Sequence, residues 1–83
     1  MESIEPQEQP RALTYGERAV GLTFNPAKNP EVSDCKAIAA TFIDQMNDLR
    51  NATTDPEVKR MCSIAITDAQ SAQMWAVKAI TWQ

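Results

Sequence analysis

The side chains able to do chemistry in this chain are few and of one kind. Arg11, Arg18, Lys28, Lys36 and Lys78 are basic, and Tyr15, Phe24 and Asn25 are interleaved with them. An aromatic ring beside Arg or Lys is what stacking on a base and pairing a phosphate require. Each stacked base contributes ~1–3 kcal/mol. Asn25 adds donors and acceptors for a base edge. The Asn29-Pro30 step opens a helix whose free N–H groups attract an anion, although Glu31 already supplies negative charge there. Each residue also has a blander reading. Phe24 packs in the core or a loop, Tyr15 caps the hairpin end, Lys28 is solvated, and Lys36 and Lys78 are solvated rims of an interface.

Other chemistries lack their parts. The chain has no histidine, and Cys35 and Cys62 lie 27 residues apart with no partner ligands nearby. That removes the usual general base and most zinc and nucleophile chemistry. No carboxylate pair is marked out from the solvated ones, so we expect no enzyme, no metal and no cofactor. The net charge of −3 argues against polymeric nucleic acid as a partner. Glu2, Glu5 and Glu8 carry that excess, and the remaining eight acidic and eight basic side chains balance. A neutral body leaves room for a local basic patch. No stretch reaches the roughly 20 apolar residues of a membrane span. The acidic start has no apolar run of a signal peptide, and two distant cysteines fit a reducing cytosol.

These side chains need elements to position them. Residues 1–10, with Pro6 and Pro10, read as a flexible acidic tail, and 11–83 as a single helical hairpin domain. Thr14 and Glu17 have capping-box spacing, and Gly21 can end a short helix, giving a helix of about 14–20. "NPEV" at 29–32 and "DPEV" at 55–58 are strong helix starts. Each has an N-cap residue, proline in the first turn and a glutamate facing the helix dipole. The first long helix is expected over about 30–50, with a seam of Val32, Cys35, Ala39, Phe42, Met46 and Leu49, and Ile38 and Ile43 on its flanks. Arg50 sits near its negative C-terminal end. The second is expected over about 56–81, and five of its seven seam positions (58, 62, 65, 69, 72, 76, 79) are alanine. "NATT" between them is short, so the arms are antiparallel neighbours. The fold class expected is all-α, an antiparallel hairpin with a short N-terminal helix. A turn centred near 53 sets Cys62 level with Ile43 and Cys35 with Gln70, so the thiols do not meet. It also brings 80–82 beside 23–25.

One hairpin cannot cover the apolar surface. Residues 74–82, "MWAVKAITW", are apolar nearly all round. Met74, Trp75, Val77, Ile80 and Trp82 therefore form the expected interface of a homo-oligomer. Val20, Leu22 and Phe24 are too little to cover them within one protomer.

The segments "YGERAVGLTFNP" (15–26), "NPEV…CKAIAATFID" (29–44) and "DAQSAQMWAVKAITW" (68–82) resemble the small phage anti-CBASS hairpin-domain proteins. These are cyclic-oligonucleotide sponges whose domain also occurs in anti-Thoeris sponges. "FNP" and "MWAVKA" carry the resemblance most specifically, and it spans nearly the whole chain after residue 12. It implies a hairpin protomer in a compact hexamer, acting in the cytoplasm of the infected bacterial host. It implies binding, without cleavage, of cyclic di- and trinucleotide messengers in pockets between protomers. Tyr15 or Phe24 is then the stacking ring, and Lys28, Lys36 and Lys78 hold phosphate. The contact lysine stays open between Lys28 and Lys36. The alternative is a helical phage assembly or docking module with no nucleotide ligand.

Overall fold

The computed structural model of the protein describes residues 11–83. The acidic tail read at 1–10 lies outside the described residues. Three helices follow one another: α1 (Tyr15–Ala19), α2 (Pro30–Ala52) and α3 (Pro56–Ile80). No strand occurs among the described residues. The fold is all-α, and α2 and α3 form the two arms of a hairpin.

Each helix begins on local side-chain chemistry. The Thr14 hydroxyl accepts from the Glu17 N–H at 3.1 Å, and Glu17 Oε1 accepts from the Thr14 N–H at 2.9 Å. This reciprocal pair satisfies two N–H groups that a helix start leaves free. Asn29 Oδ1 accepts from the Glu31 N–H at 2.8 Å, and Asp55 Oδ1 accepts from the Glu57 N–H at 2.9 Å. Pro30 and Pro56 follow these caps, where the missing N–H costs nothing. The turn between the arms is only 53–55, so α3 folds straight back. Lys59 Nζ closes it by donating to the Arg50 carbonyl at 2.8 Å.

The core is small. Val20, Ala40, Ile43 and Ile66 form one buried cluster, with Leu22, Met46 and Ala69 packed against it. Ile43 is completely buried. It packs with Ile66, where turn counting sets it level with Cys62. α2 runs on to Ala52 and the turn covers 53–55, so the turn's centre lies near 54 instead of 53 and the position facing Ile43 moves from 62 to about 65, next to Ile66. Both thiols are free.

The buried stripe of α2 also differs from the expected seam. Val32, Lys36, Ala40 and Ile43 are buried, whereas Phe42, Leu49 and Ile38 are exposed. The cause is α1. The Gly16 N–H donates to Asp44 Oδ1 at 2.7 Å, and α1 lies so close to α2 that a Cβ at Gly16 would collide with the Ala40 carbonyl. Gly16 therefore serves close approach. With α1 on one flank and α3 on another, the stripe rotates towards residues 36, 40 and 44. The Gln70 amide, donating to the Ala19 carbonyl at 3.2 Å, ties the end of α1 to α3.

Candidate ligand-binding site

Five of the seven sequence-read ligand residues fall into two separate places, and Lys28 and Lys78 line neither. Tyr15 and Arg18 lie on α1, with Ala19 and Gln70, around an open cavity of about 210 Å³. Tyr15 is the first residue of α1 and Arg18 sits one turn later, so both lie on one face of that helix. Their placement depends on the Gly16 contact with α2 and on the Gln70 bond. Arg50 of α2 lies over the Tyr15 ring, 5.5 Å from its centroid. The cavity thus joins a half-exposed aromatic ring, a guanidinium and a primary amide.

Phe24, Asn25 and Lys36 meet at a second, more apolar cavity of about 220 Å³, beside Val32, Val77 and Thr81. Here the chain between α1 and α2 passes the end of α3. The loop is braced from within. Asn25 Nδ2 donates to the Asn29 carbonyl at 2.8 Å and to Ser33 Oγ at 3.0 Å, and Asn25 Oδ1 accepts from the Asn29 N–H at 3.1 Å. Both amide donors of Asn25 are spent inside the loop, which leaves no donor for a base edge. The Lys28 N–H donates to the Asn25 carbonyl at 2.9 Å, closing a turn, and Lys28 takes φ 52°. The Lys28 side chain is exposed and does not line the cavity.

Lys36 is only 5% exposed. Its Nζ donates to the Gly21 carbonyl at 2.9 Å and to the Phe24 carbonyl at 2.6 Å, and lies 5.5 Å from the centre of the Phe24 ring. The ammonium fastens the 21–24 segment to α2. That work is structural, and one N–H remains for the cavity. Phe24 itself is 73% exposed, so the packing reading of this ring does not describe it.

Lys78 lies apart, with its Nζ 5.5 Å from the centre of the Trp82 ring. Of the residues read as an interface, Met74, Trp75 and Trp82 are exposed, and Val77 and Ile80 are half-buried.

Arg11 is occupied. Its guanidinium meets Glu17 in a two-pronged pair at 2.6 and 2.7 Å. The Arg11 hydrogen bond, helped by the Thr14 N–H, brings the Glu17 carboxyl down to about 2. The pair therefore steadies the start of α1 rather than facing a ligand.

Three residues at the site were not singled out from sequence. Gln70 lines the cavity, Asp44 anchors α1, and Arg50 backs Tyr15. Gln70 had one visible signal, a polar residue next to the alanine seam of α3. Asp44 lies off the apolar seam expected for the first long helix. Arg50 read only as a charge at a helix end. Among the described residues, no group of His, Cys, Asp or Glu is placed to hold a metal, and no helix is long and apolar enough to cross a membrane.

The three-helix hairpin carries two small, half-open cavities, one joining an aromatic ring, a guanidinium and an amide, the other an aromatic ring, an ammonium and apolar side chains. Comparison with protein families is specific. The model of the Acb2/Tad1 hairpin domain matches residues 17–81, so the chain belongs to that family of anti-CBASS and anti-Thoeris sponges. Membership implies a phage anti-defence sponge role. No curated protein and no solved structure matches the chain.

Proposed function

We propose that this protein sequesters cyclic di- and trinucleotide messengers, such as cyclic GMP-AMP, without cleaving them. Withholding the messenger blocks CBASS effector activation in the cytoplasm of the infected bacterial host. The observation that carries this reading is the Tyr15 cavity, because a ring for a base and a guanidinium for a phosphate line the same space. Its volume of about 210 Å³ falls short of the ~300–1,000 Å³ of a usual small-molecule site. A second protomer supplies the remaining walls. We place the protomers, each one hairpin domain over 11–83, in a compact homohexamer joined through Met74, Trp75, Val77, Ile80 and Trp82. In that assembly Lys28 and Lys78, both exposed, are free to meet phosphate from a neighbouring protomer. Phe24 and the remaining N–H of Lys36 serve the second cavity, with Asn25 holding its loop.

A sponge has to bind tightly. At a Kd of ~1 nM the free energy is about −12 kcal/mol, more than one stack and one ion pair supply. Contacts from several protomers close that difference.

The test is a melting shift with cyclic GMP-AMP, followed by heat denaturation and recovery of the ligand. A raised midpoint with intact ligand supports sequestration. Altered ligand identifies an enzyme. The exposed Trp75 and Trp82 favour one alternative, an assembly or docking module. No shift with any cyclic di- or trinucleotide selects it.

A further inference from the structure

We propose that Arg50 positions the Tyr15 ring, and so sets the affinity of the cavity that the ring lines, without itself touching the ligand. This rests on the nucleotide-binding reading above and names a residue through which that site is tuned.

Arg50 does not line the Tyr15 cavity. It stands behind the ring, with its guanidinium carbon 5.5 Å from the ring centre. Its fork is already committed. Nη1 donates to Ser63 Oγ on α3 at 2.8 Å, and Nη2 donates to Asn47 Oδ1 on α2 at 2.8 Å. The guanidinium is therefore tied to both arms of the hairpin and cannot turn aside without breaking one of these bonds. Lysine has no such fork, so only arginine can hold the ring and both partners together.

Tyr15 needs that support. It opens a helix of five residues, and among the described residues its hydroxyl takes no hydrogen bond. A ring so placed would otherwise sample several side-chain rotamers. With one face against Arg50, only the other face is open, so one base stacks per ring. The ring is ordered before the ligand arrives, which lowers the entropy that binding has to overcome. A cation on an aromatic face contributes enough to change affinity by about threefold to tenfold.

The test uses the full chain, cyclic GMP-AMP as probe, and a double-mutant cycle of Arg50→Met and Tyr15→Leu. The expected result is a loss of about threefold to tenfold for Arg50→Met alone and no further loss when Tyr15→Leu is already present. Equal losses in both backgrounds would mean that Arg50 contacts the ligand or acts through the fold, and would overturn the proposal. A second readout needs no ligand. The chain has one tyrosine, so tyrosine-labelled protein gives a single ring signal by NMR. That signal should show a contact to Arg50 in the wild type, and should shift and broaden in Arg50→Met while the melting midpoint changes little. An unmoved signal overturns the positioning role. If the wild type does not bind cyclic GMP-AMP or any related messenger, the affinity part falls with the function reading. The ring signal then decides the orientation part by itself.

Discussion

An ammonium that is 5% exposed has to find partners for its N–H bonds. Lys36 finds two carbonyls and an aromatic face, all on the 21–24 segment. Replacing it with methionine keeps the stem and strips both carbonyls of their donor. We expect Lys36→Met to lower stability by about 1–3 kcal/mol, read as a fall in the urea midpoint. Lys36→Glu should be worse, because a carboxylate would face two carbonyl oxygens. Loss of binding in that variant would not separate a damaged loop from a lost contact at the second cavity. Arg18 and Lys78 give cleaner probes, since both are exposed. Arg18→Glu and Lys78→Glu should weaken cyclic GMP-AMP binding with little change in midpoint. Unchanged affinity in both would remove these residues from the site. The residue types at the site were legible in the sequence, because stacking and phosphate pairing need particular side chains. Their pairing was not. Which cation backs which ring depends on contacts such as Arg50 with Tyr15, far apart in the chain and joined only by the fold.

At the scale of elements, α1 is the part most easily dislodged. It is five residues long, too short to hold itself together, so its docking decides its existence. Gly16→Ala would drive a methyl group into the Ala40 carbonyl and to within 2.9 Å of Asp44 Oδ1. We expect α1 to leave the hairpin in this variant, read as faster amide exchange over 14–22 while the arms stay protected. Unchanged exchange would show that the close approach is not required. The pH dependence points to the same element. The Glu17 carboxyl is down at about 2 from an ordinary 4.5. A lowered folded value means that the stabilisation is fully present above about 4.5 and is lost as pH falls towards about 2. Exchange over α1 should therefore quicken in that window, and Arg11→Gln should move its onset upward. The start of each helix was legible, because a cap is written in four consecutive residues such as "NPEV". The buried face of α2 was not. A heptad count treats a helix as having one partner, and α2 has two.

The whole molecule is thin on core and rich in exposed apolar surface. Among the described residues, only a few side chains are buried in the cluster around Ile43, while Ile38, Phe42 and Leu49 on α2 and Met74, Trp75 and Trp82 in and after the last turns of α3 face outward. A domain of this size with so small a core is marginal by itself. Association is the simplest way to cover such surface; the number six in our proposal comes from the family resemblance. Sedimentation at micromolar concentration should give a species larger than the monomer, and Trp75→Glu should shift it to a smaller one. A monomeric wild type would sink the proposal. Stability should also rise with protein concentration, since assembly and folding are then linked.

Trp75 and Trp82 stand 68% and 73% exposed on the single chain. The two indoles make the protein its own optical gauge. Indole emission shifts to shorter wavelength when water is replaced by apolar neighbours. A dilution series followed by tryptophan emission would therefore read subunit exchange directly, with no label attached. Tyrosine-to-tryptophan energy transfer would report separately on the end of the molecule that carries Tyr15.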